Sequence, residues 1–257
     1  MNQKMQELIS DSQFVLIGIG PEFGYQMDRQ EILKKLNMNM DDFSDYMWIL
    51  DYLVAEEQKR ADVSKYVSAY NHLYEMVKDK NYFIVTLNTD DIIYESMFSR
   101  EKITAPCGSI GRLQCSCGCE GSIQNAEEIV NSIAHQVWSE KRHLSEIERP
   151  VCQTCGKPLI FHTVEQEGYM EAGYLKSWEK YRMWLTGTLN RKLCLLELGT
   201  DFKFPSVVRW AFEKVAFLNE KAVLMRVCEK YPQLTEELQG KAISIKQNPL
   251  DYLRGTV

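Results

Sequence analysis

The sequence lacks long apolar runs and long stretches of one charge. Its uncharged apolar segments are short, as at 14–19 and 193–196, whereas a membrane-spanning helix needs about 20 apolar residues. The net charge is −6 and no lysine- or arginine-rich stripe occurs, which argues against binding through nucleic-acid phosphates. Residues 1–9 are polar and lack the apolar core of a secretory signal. We therefore expect a cytoplasmic protein with no membrane and no nucleic acid among its partners.

Histidine is scarce in this chain, whereas cysteine is plentiful. The four histidines have no mutual spacing that predicts catalysis or metal binding. The eight cysteines, in a chain expected in the cytoplasm, are better explained as thiols and metal ligands than as disulfides. The sequence also has no internal repeat and no low-complexity linker. Its 257 residues suffice for one large domain that carries a small one.

Apolar runs alternate with helical patterns along most of the chain. Apolar residues at three- and four-residue spacing predict helices at 2–10, within 29–80, at about 125–147 and at 174–189. Continuous apolar runs predict buried strands at 13–20, 81–88, 191–199 and within 217–228. This alternation indicates an α/β fold, with a Rossmann-like parallel sheet that has helices on both faces.

The stretch from Cys107 to Cys155 differs in kind, because it holds six of the eight cysteines. It predicts a small inserted zinc-binding and helical domain. We assign residues 1–111 and 166–257 to the Rossmann-like domain, with a helical module at 30–80 within it. Residues 112–165 form the zinc-binding insertion in this division.

Glycine or short polar residues end three of the predicted strands. Gly18-Ile19-Gly20 ends the first, Asn88 and Asp90 follow the second, and Gly199-Thr200 closes the third. Ligands of parallel sheets bind beyond these carboxyl ends, where glycines let a ligand approach the backbone. Taken alone, the glycine pair is equally typical of a tight turn, and Asn88 and Asp90 are typical of a helix N-cap.

Two cysteine clusters carry the strongest chemical signal in the sequence. Structural zinc takes four ligands in a tetrahedron, as two close pairs on two turns. Cys152 and Cys155, followed by glycine, have the form of one such pair. In the other cluster three cysteines compete for two places; we favour Cys115 and Cys119, and Cys117 could replace either.

In this order, the motifs resemble those of the sirtuins, the silent information regulator family, over nearly the whole chain. The resemblance rests on five motifs in family order: Gly18–Gly20, Thr86–Asp90, Cys107–Cys115, the pair Cys152 and Cys155, and Gly199–Asp201. The greatest similarity is to a divergent microbial branch, which includes macrodomain-linked sirtuins that ADP-ribosylate proteins.

The resemblance implies NAD and zinc as cofactors and a protein as substrate or partner. It implies that the Rossmann-like domain binds NAD through Gly18, Gly20, Asn88, Asp90, Gly199 and Thr200. It implies zinc on Cys115, Cys119, Cys152 and Cys155. Asn88 and Cys107 become the candidate catalytic residues, Asn88 beside the nicotinamide ribose and Cys107 at the place of the catalytic histidine.

Four departures from the family pattern shape the expected activity. Glu22 would repel a pyrophosphate unless it points away or binds a metal. Leu87 replaces a glutamine, and Cys228 replaces an asparagine that contacts the adenosine. Cys107 replaces the deacylase base, and a thiol with a pKa of about 8.5 is mostly protonated at neutral pH. We therefore expect an ADP-ribosyltransferase or NAD-consuming enzyme with little or no deacylase activity. The alternative is a catalytically inactive sensor or partner protein that binds NAD or ADP-ribose.

Overall fold

A computed structural model describes residues 3–255 of the chain. Its strands are β1 (Phe14–Ile19), β2 (Asn81–Thr86), β3 (Ile103–Thr104), β4 (Gly108–Cys115), β5 (Gln124–Asn125), β6 (Leu159–Thr163), β7 (Leu193–Leu198), β8 (Ala222–Val227) and β9 (Ala242–Ile245). Its α-helices are α1 (Gln3–Asp11), α2 (Arg29–Leu36), α3 (Met47–Arg60), α4 (Ser64–Val77), α5 (Glu127–Trp138), α6 (Ala172–Thr186), α7 (Arg209–Leu218) and α8 (Pro249–Arg254).

The chain forms two compact units. The sheet unit comprises the described parts of Met1–Gly24, Val63–Gly108 and Tyr174–Val257, and the cysteine unit comprises Tyr25–Asp62 and Ser109–Gly173. The helical module predicted at 30–80 is thus divided, because its residues up to Asp62 fall in the cysteine unit. As independently folding domains, the predicted division into 1–111 with 166–257 and 112–165 stays a proposal.

Six parallel strands form the sheet unit, in the order β3-β2-β1-β7-β8-β9. All six residues of β7 are buried, as are five of six in β1 and in β2. Uninterrupted burial requires helices on both faces of a parallel sheet. The predicted α/β class, with its mostly parallel Rossmann-like sheet, is confirmed.

Two helices cover one face of this sheet. The Trp184 ring of α6 contacts Phe14 of β1, with ring centroids 5.8 Å apart. Phe212 of α7 packs over Gly18, where a Cβ atom would lie 2.9 Å from its ring. Phe14 and Gly18 share a face because side chains alternate along a strand. Helix α4 contacts both α1 and α8, and these three remaining helices of the unit are left to cover the opposite face.

The cysteine unit has its own core. It contains α2, α3 and α5 with a three-stranded sheet in the order β5-β4-β6. Helices α3 and α5 pack along each other, and Leu53, Ile133 and Phe161 are among the buried residues of this core.

Three local differences from the predictions have physical causes. The helix predicted to reach 147 ends at Trp138, because Lys141 takes a left-handed conformation with φ 55° and the chain turns there. Helix α7 was not predicted. Trp210 and Phe217 are exposed on it, so its apolar residues do not lie on one face and show no clear helical period. Strand β9 was missed because it is short and only partly buried.

None of the helices within residues 3–255 combines the length and apolarity that crossing a bilayer requires.

Candidate active site and metal centre

The strand order changes direction between β1 and β7. From β1 the chain adds β2 and β3 on one side and later adds β7, β8 and β9 on the other. In open α/β sheets the loops on the two sides diverge at such a point, and a ligand crevice forms beyond the strand ends. Four loops leave this edge, after β1, β2, β7 and β8, and they carry five of the six residues that were expected to bind the cofactor.

The two glycines at the end of β1 and just after it allow close packing within the protein. Gly18 lies inside β1, paired with Val85 and Glu197 on its two neighbours. Gly20 approaches the turn after β7 so closely that a Cβ atom would lie 2.5 Å from the Gly199 carbonyl oxygen. A larger residue at either position would therefore displace the chain's own backbone or side chains. Their predicted contact with a pyrophosphate stays a proposal.

Asn88 joins the loop after β2 to the loop after β1. In the orientation that its hydrogen bonds favour, the Nδ2 group donates to the Gly20 carbonyl at 3.0 Å. In the same orientation, Oδ1 accepts from the Gly24 N–H at 3.3 Å. Gly24 makes this approach possible, because a Cβ atom there would lie 2.9 Å from the amide. Asn88 thus has a fixed position at the edge of the sheet.

Tyr70 of α4 lies beneath this amide and was not singled out from the sequence. Its ring packs edge-on against Phe23 at 4.6 Å, and its hydroxyl contacts the Asn88 side chain. Burial, and after it the charge of Asp90, raise the pKa of the Tyr70 phenol well above its usual value, while Asn88 opposes that rise. Asp90 also accepts a hydrogen bond from the Ile92 N–H at 3.0 Å. Tyr70, Asn88 and Asp90 therefore form one connected group.

Thr200, in the loop after β7, is held from below. Its hydroxyl donates to the Glu197 carboxylate, and both residues are buried. Gly199, just before it, has φ 67°, a left-handed conformation that glycine adopts without strain. The structure therefore brings Gly20, Asn88, Gly199 and Thr200 to one edge, as predicted from their places after strands.

Cys107 lies between β3 and β4 and is buried, with 3% of its surface exposed. Gly108 follows it with φ 87° and donates its N–H to the Ala105 carbonyl at 3.1 Å. The thiol therefore sits in a tight turn rather than on an open surface.

Four cysteines converge in the cysteine unit. The sulfur atoms of Cys115, Cys119, Cys152 and Cys155 all lie within 4.8 Å of one another. Zinc with Zn–S bonds of about 2.3 Å places tetrahedral sulfurs ~3.8 Å apart, so the cluster has the size of a zinc site. Cys117 is exposed and lies outside this group of the described residues. The set is the one that the sequence favoured.

Backbone N–H groups point at the sulfurs, as in a metal-binding turn. Cys115 receives the N–H of Cys117 at 3.4 Å, and the backbone groups of Cys119 and then Cys117 lower the pKa of the Cys115 thiol to about 6. Side-chain hydrogen bonds to Cys155 and Cys115 raise the pKa of the Cys119 thiol to about 12. Gly156, with φ 70°, closes the other turn by donating to the Cys152 carbonyl at 2.8 Å. Thiolates are the ligand form that zinc binds, so the donor set fits zinc.

Comparison with known proteins gives one consistent answer on the fold. A solved sirtuin structure concerned with substrate affinity matches 99% of this chain and 97% of its own, with a TM-score of 0.61 and 12% identity. Another, on the mechanism and regulation of Sir2 enzymes, has a TM-score of 0.60 at 12% identity over 99% of this chain. A third, a Sir2 enzyme with a p53 peptide and NAD, has a TM-score of 0.57 at 10% identity. The chain has the sirtuin fold.

Two relatives found by sequence share 20–25% identity with this chain. A protein ADP-ribosyltransferase of Staphylococcus aureus is 20% identical over 264 residues, covering 95% of this chain and 83% of that protein. A probable bifunctional ADP-ribose hydrolase/ADP-ribosyltransferase of Fusarium oxysporum f. sp. cubense is 25% identical over 150 residues, which are 56% of this chain and 25% of that protein. No family model matches the chain. The predicted resemblance to sirtuins is confirmed.

Within this sirtuin fold, sequence reasoning missed a group of four charges, three of them buried and the fourth, Glu213, partly buried. Glu197 of β7 and Arg226 of β8 are fully buried, and Arg209 of α7 is 2% exposed. Arg226 contacts Glu197 and Glu213, both at 2.8 Å. A signal was present, since a charged residue inside an apolar strand demands a partner. The two arginines also donate to backbone carbonyls of the loop after β8, at Tyr231 and Gln233.

Proposed function

We propose that this chain is a sirtuin-type enzyme that consumes NAD, most directly an ADP-ribosyltransferase, with weak or absent deacylase activity. The names of both curated relatives include ADP-ribosyltransferase, and a solved structure of the same fold contains NAD. A protein acceptor and a cytoplasmic location, both expected from the sequence, belong to the same proposal.

The observation that carries this proposal is the fixed amide of Asn88. It lies at the strand edge where the sheet changes direction, held by Gly20 and Gly24. An amide fixed in advance can orient a ribose without first losing side-chain freedom, which is how positioning groups assist a reaction. Asn88 would face the nicotinamide ribose, and Asp90 would accept hydrogen bonds from the carboxamide.

The polar and small residues at this edge suit a dinucleotide. It combines an amide at Asn88, carboxylates at Glu22 and Asp90, and small residues at Gly20 and Gly199. Carboxylates accept hydrogen bonds from ribose hydroxyls and carboxamide N–H groups, and glycines leave the backbone accessible. NAD, when bound, would supply an ADP-ribosyl group with nicotinamide as leaving group. The protein's part is to hold the ribose on Asn88 and to keep the carboxamide in place on Asp90.

Cys107 underlies the expected loss of deacylase activity. Sirtuin deacylation needs a base that removes a ribose hydroxyl proton, and histidine suits that work near neutral pH. A thiol is a poor substitute, because with an unperturbed pKa of about 8.5 it is mostly protonated near neutral pH. Removing general-base help lowers a rate by roughly 10²–10⁴-fold.

Zinc on Cys115, Cys119, Cys152 and Cys155 would have a structural role. A site with four thiolate ligands leaves no open position for a substrate. The metal would join the turn at the end of β4 to the turn before β6 and so stabilise the cysteine unit.

The alternative, a protein that binds NAD or ADP-ribose without turnover, is favoured by the same buried Cys107, which offers no base. Titration of the zinc-loaded protein with NAD and with ADP-ribose, followed by assays of nicotinamide release and of acetyl-lysine peptide deacetylation, separates the cases. We expect binding and nicotinamide release with little deacetylation. Binding without release would establish the alternative. Binding of neither nucleotide would refute both, and ordinary deacetylation would refute the role given to Cys107.

A further inference from the structure

Glu22 makes an unusual contact with the loop after β8. One carboxylate oxygen accepts the backbone N–H of Glu229 at 2.8 Å, and the other accepts the N–H of Lys230 at 2.9 Å. Two consecutive backbone N–H groups form a small anion-binding site. Here the chain's own carboxylate occupies that site, which explains how Glu22 is accommodated at the strand edge.

The backbone around Glu22 is fixed as well. Its N–H donates to the Gly199 carbonyl at 3.1 Å, and a Cβ atom on Gly199 would lie 2.6 Å from the Glu22 Cβ. Burial, with the charge of Glu22 adding to it and the Tyr231 N–H opposing it, raises the pKa of the nearby Cys228 thiol to about 11, so the thiol stays neutral. Glu22 therefore joins the loops after β1, β7 and β8.

The loop that holds Glu22 is itself anchored from the sheet. Arg209 donates to the Tyr231 carbonyl at 3.0 Å and to the Gln233 carbonyl at 3.1 Å. Arg226 donates to the Gln233 carbonyl too. Both guanidinium groups are buried and paired with Glu197. Their positive charge is thus committed to the interior and is poorly placed to attract a phosphate at the surface.

A carboxylate can accept about four hydrogen bonds. The backbone donates two to Glu22, and the Cys228 thiol contacts the same carboxylate. The lone pair that remains can accept the 2′-hydroxyl of an unmodified ribose. In other dinucleotide-binding sheets an acidic residue accepts the 2′-hydroxyl of the adenosine ribose, whereas an arginine accommodates a 2′-phosphate. A fixed negative charge beside that hydroxyl repels a phosphate in its place.

We propose that Glu22 selects dinucleotides whose adenosine ribose is unphosphorylated, so that this chain takes NAD and rejects NADP. The proposal rests on the proposed function, because it assumes that a dinucleotide occupies the strand edge. Glu22 would then determine cofactor specificity from the loop after β1, where this sequence differs from the family pattern. Lys230 has an exposed side chain, whose attraction for a phosphate is weakened by solvent and salt.

The experiment is a calorimetric titration of the zinc-loaded full chain with NAD and with NADP. For the wild type we expect NAD to bind at least about tenfold more tightly, which is about 1.4 kcal/mol. Glu22→Gln keeps the shape and removes the charge, so the ratio of the two affinities should fall to within about threefold of unity. Glu22→Asp keeps the charge and should retain a clear preference for NAD. Glu236→Gln, which removes an exposed charge of the same unit, is the matched control and should leave the ratio unchanged.

The possible outcomes separate the selection role of Glu22 from the binding of a dinucleotide at the strand edge. Amide exchange at Glu229 and Lys230, measured without nucleotide, should accelerate in Glu22→Gln, and thermal melting verifies that the variant is folded. NAD binding with an unchanged ratio in Glu22→Gln would overturn the selection role and leave the proposed function standing. If Glu22→Gln bound NAD and NADP more tightly by the same factor, the selection role would be overturned too, because Glu22 would then only obstruct the site. Binding of neither nucleotide by the wild type would overturn the proposed function and this inference together.

Discussion

Glu197 and Arg226 lie directly opposite each other on neighbouring parallel strands, and two hydrogen bonds of 2.8 Å join their side chains. Neither side chain is exposed to solvent. The pair also holds the two loops that flank the candidate cofactor site, through Thr200 on one side and Gln233 on the other. A fold-stabilising contact and the shape of the site therefore depend on the same two residues.

Removing one partner of this pair should be costly. Glu197→Ala leaves two buried guanidinium groups without their shared carboxylate, and we expect a loss of about 3–5 kcal/mol in the free energy of unfolding. Urea denaturation measures that loss. Glu101→Ala, which breaks the exposed pair with Lys180, is the control and should change the stability little, because solvent screens an exposed ion pair. A Glu197→Ala variant as stable as this control would contradict the importance given to the pair.

The cysteine cluster predicts a sharp difference between neighbouring residues. Cys119→Ser removes one of four clustered thiols and should lower bound zinc well below one ion per chain, with a drop in melting temperature, because metal binding contributes to folding stability. Cys117→Ser alters an exposed cysteine outside the cluster and should retain the metal. Elemental analysis of both purified variants decides the point. Zinc loss in Cys117→Ser with retention in Cys119→Ser would reverse our choice of ligands.

His162 of β6 gives the cysteine unit a defined response to acid. Its Nε2 donates to the Met170 carbonyl at 2.9 Å, which fixes the neutral tautomer, while the buried Nδ1 has no partner among the described residues. Burial lowers the pKa of His162, with the Met170 contact opposing and Arg112 adding to that effect. The unfolded chain, with a pKa of about 6.5, then binds this proton more readily than the folded chain does. Stability should therefore be full above that value and be lost as the pH falls from it toward the lowered folded-state pKa.

Thermal melting at about pH 7.5 and about pH 5.5 tests this response. The decrease in melting temperature should be smaller in His162→Gln than in the wild type, because the glutamine does not titrate. His143→Gln, at an exposed position, should behave as the wild type. Identical acid sensitivity of the wild type and His162→Gln would exclude His162 as the group responsible.

Cys107 should be dispensable for breaking the bond to nicotinamide. Cys107→Ser should leave nicotinamide release within about threefold of the wild type, far from the roughly 10²–10⁴-fold loss that removing a general base produces. A fluorescence assay of free nicotinamide measures the rates. A loss of that larger size in a folded Cys107→Ser protein would instead make the thiol a participant in the reaction.

Local patterns were sufficient to predict much of the molecule. The strands β1, β2, β7 and β8 follow from continuous apolar runs, and the four clustered cysteines include the pairs that the sequence spacing favoured. Glycine and short polar residues after three strands predicted the candidate site edge, because parallel strands bring their carboxyl ends together.

The remaining features depend on contacts between residues far apart in sequence, which local patterns do not predict. The hydrogen bond from Glu229 to Glu22 joins residues 207 positions apart, so the sequence left open whether Glu22 would repel a ligand or turn away. Tyr70 was visible only as one apolar position of a helix, and its place beneath Asn88 depends on how α4 packs. The division of the 30–80 module between two units likewise reflects packing rather than periodicity.

The most direct test of the central claim is nicotinamide release from NAD by the wild type and by Asn88→Ala. Asn71→Ala, which alters an amide that accepts only the Met97 N–H in the described contacts, is the matched control on the same unit. We predict release by the wild type and by the control, and a loss of roughly 10²-fold or more in Asn88→Ala, because the positioning amide is gone. No release by the zinc-loaded wild type, or equal release by Asn88→Ala, would contradict the account.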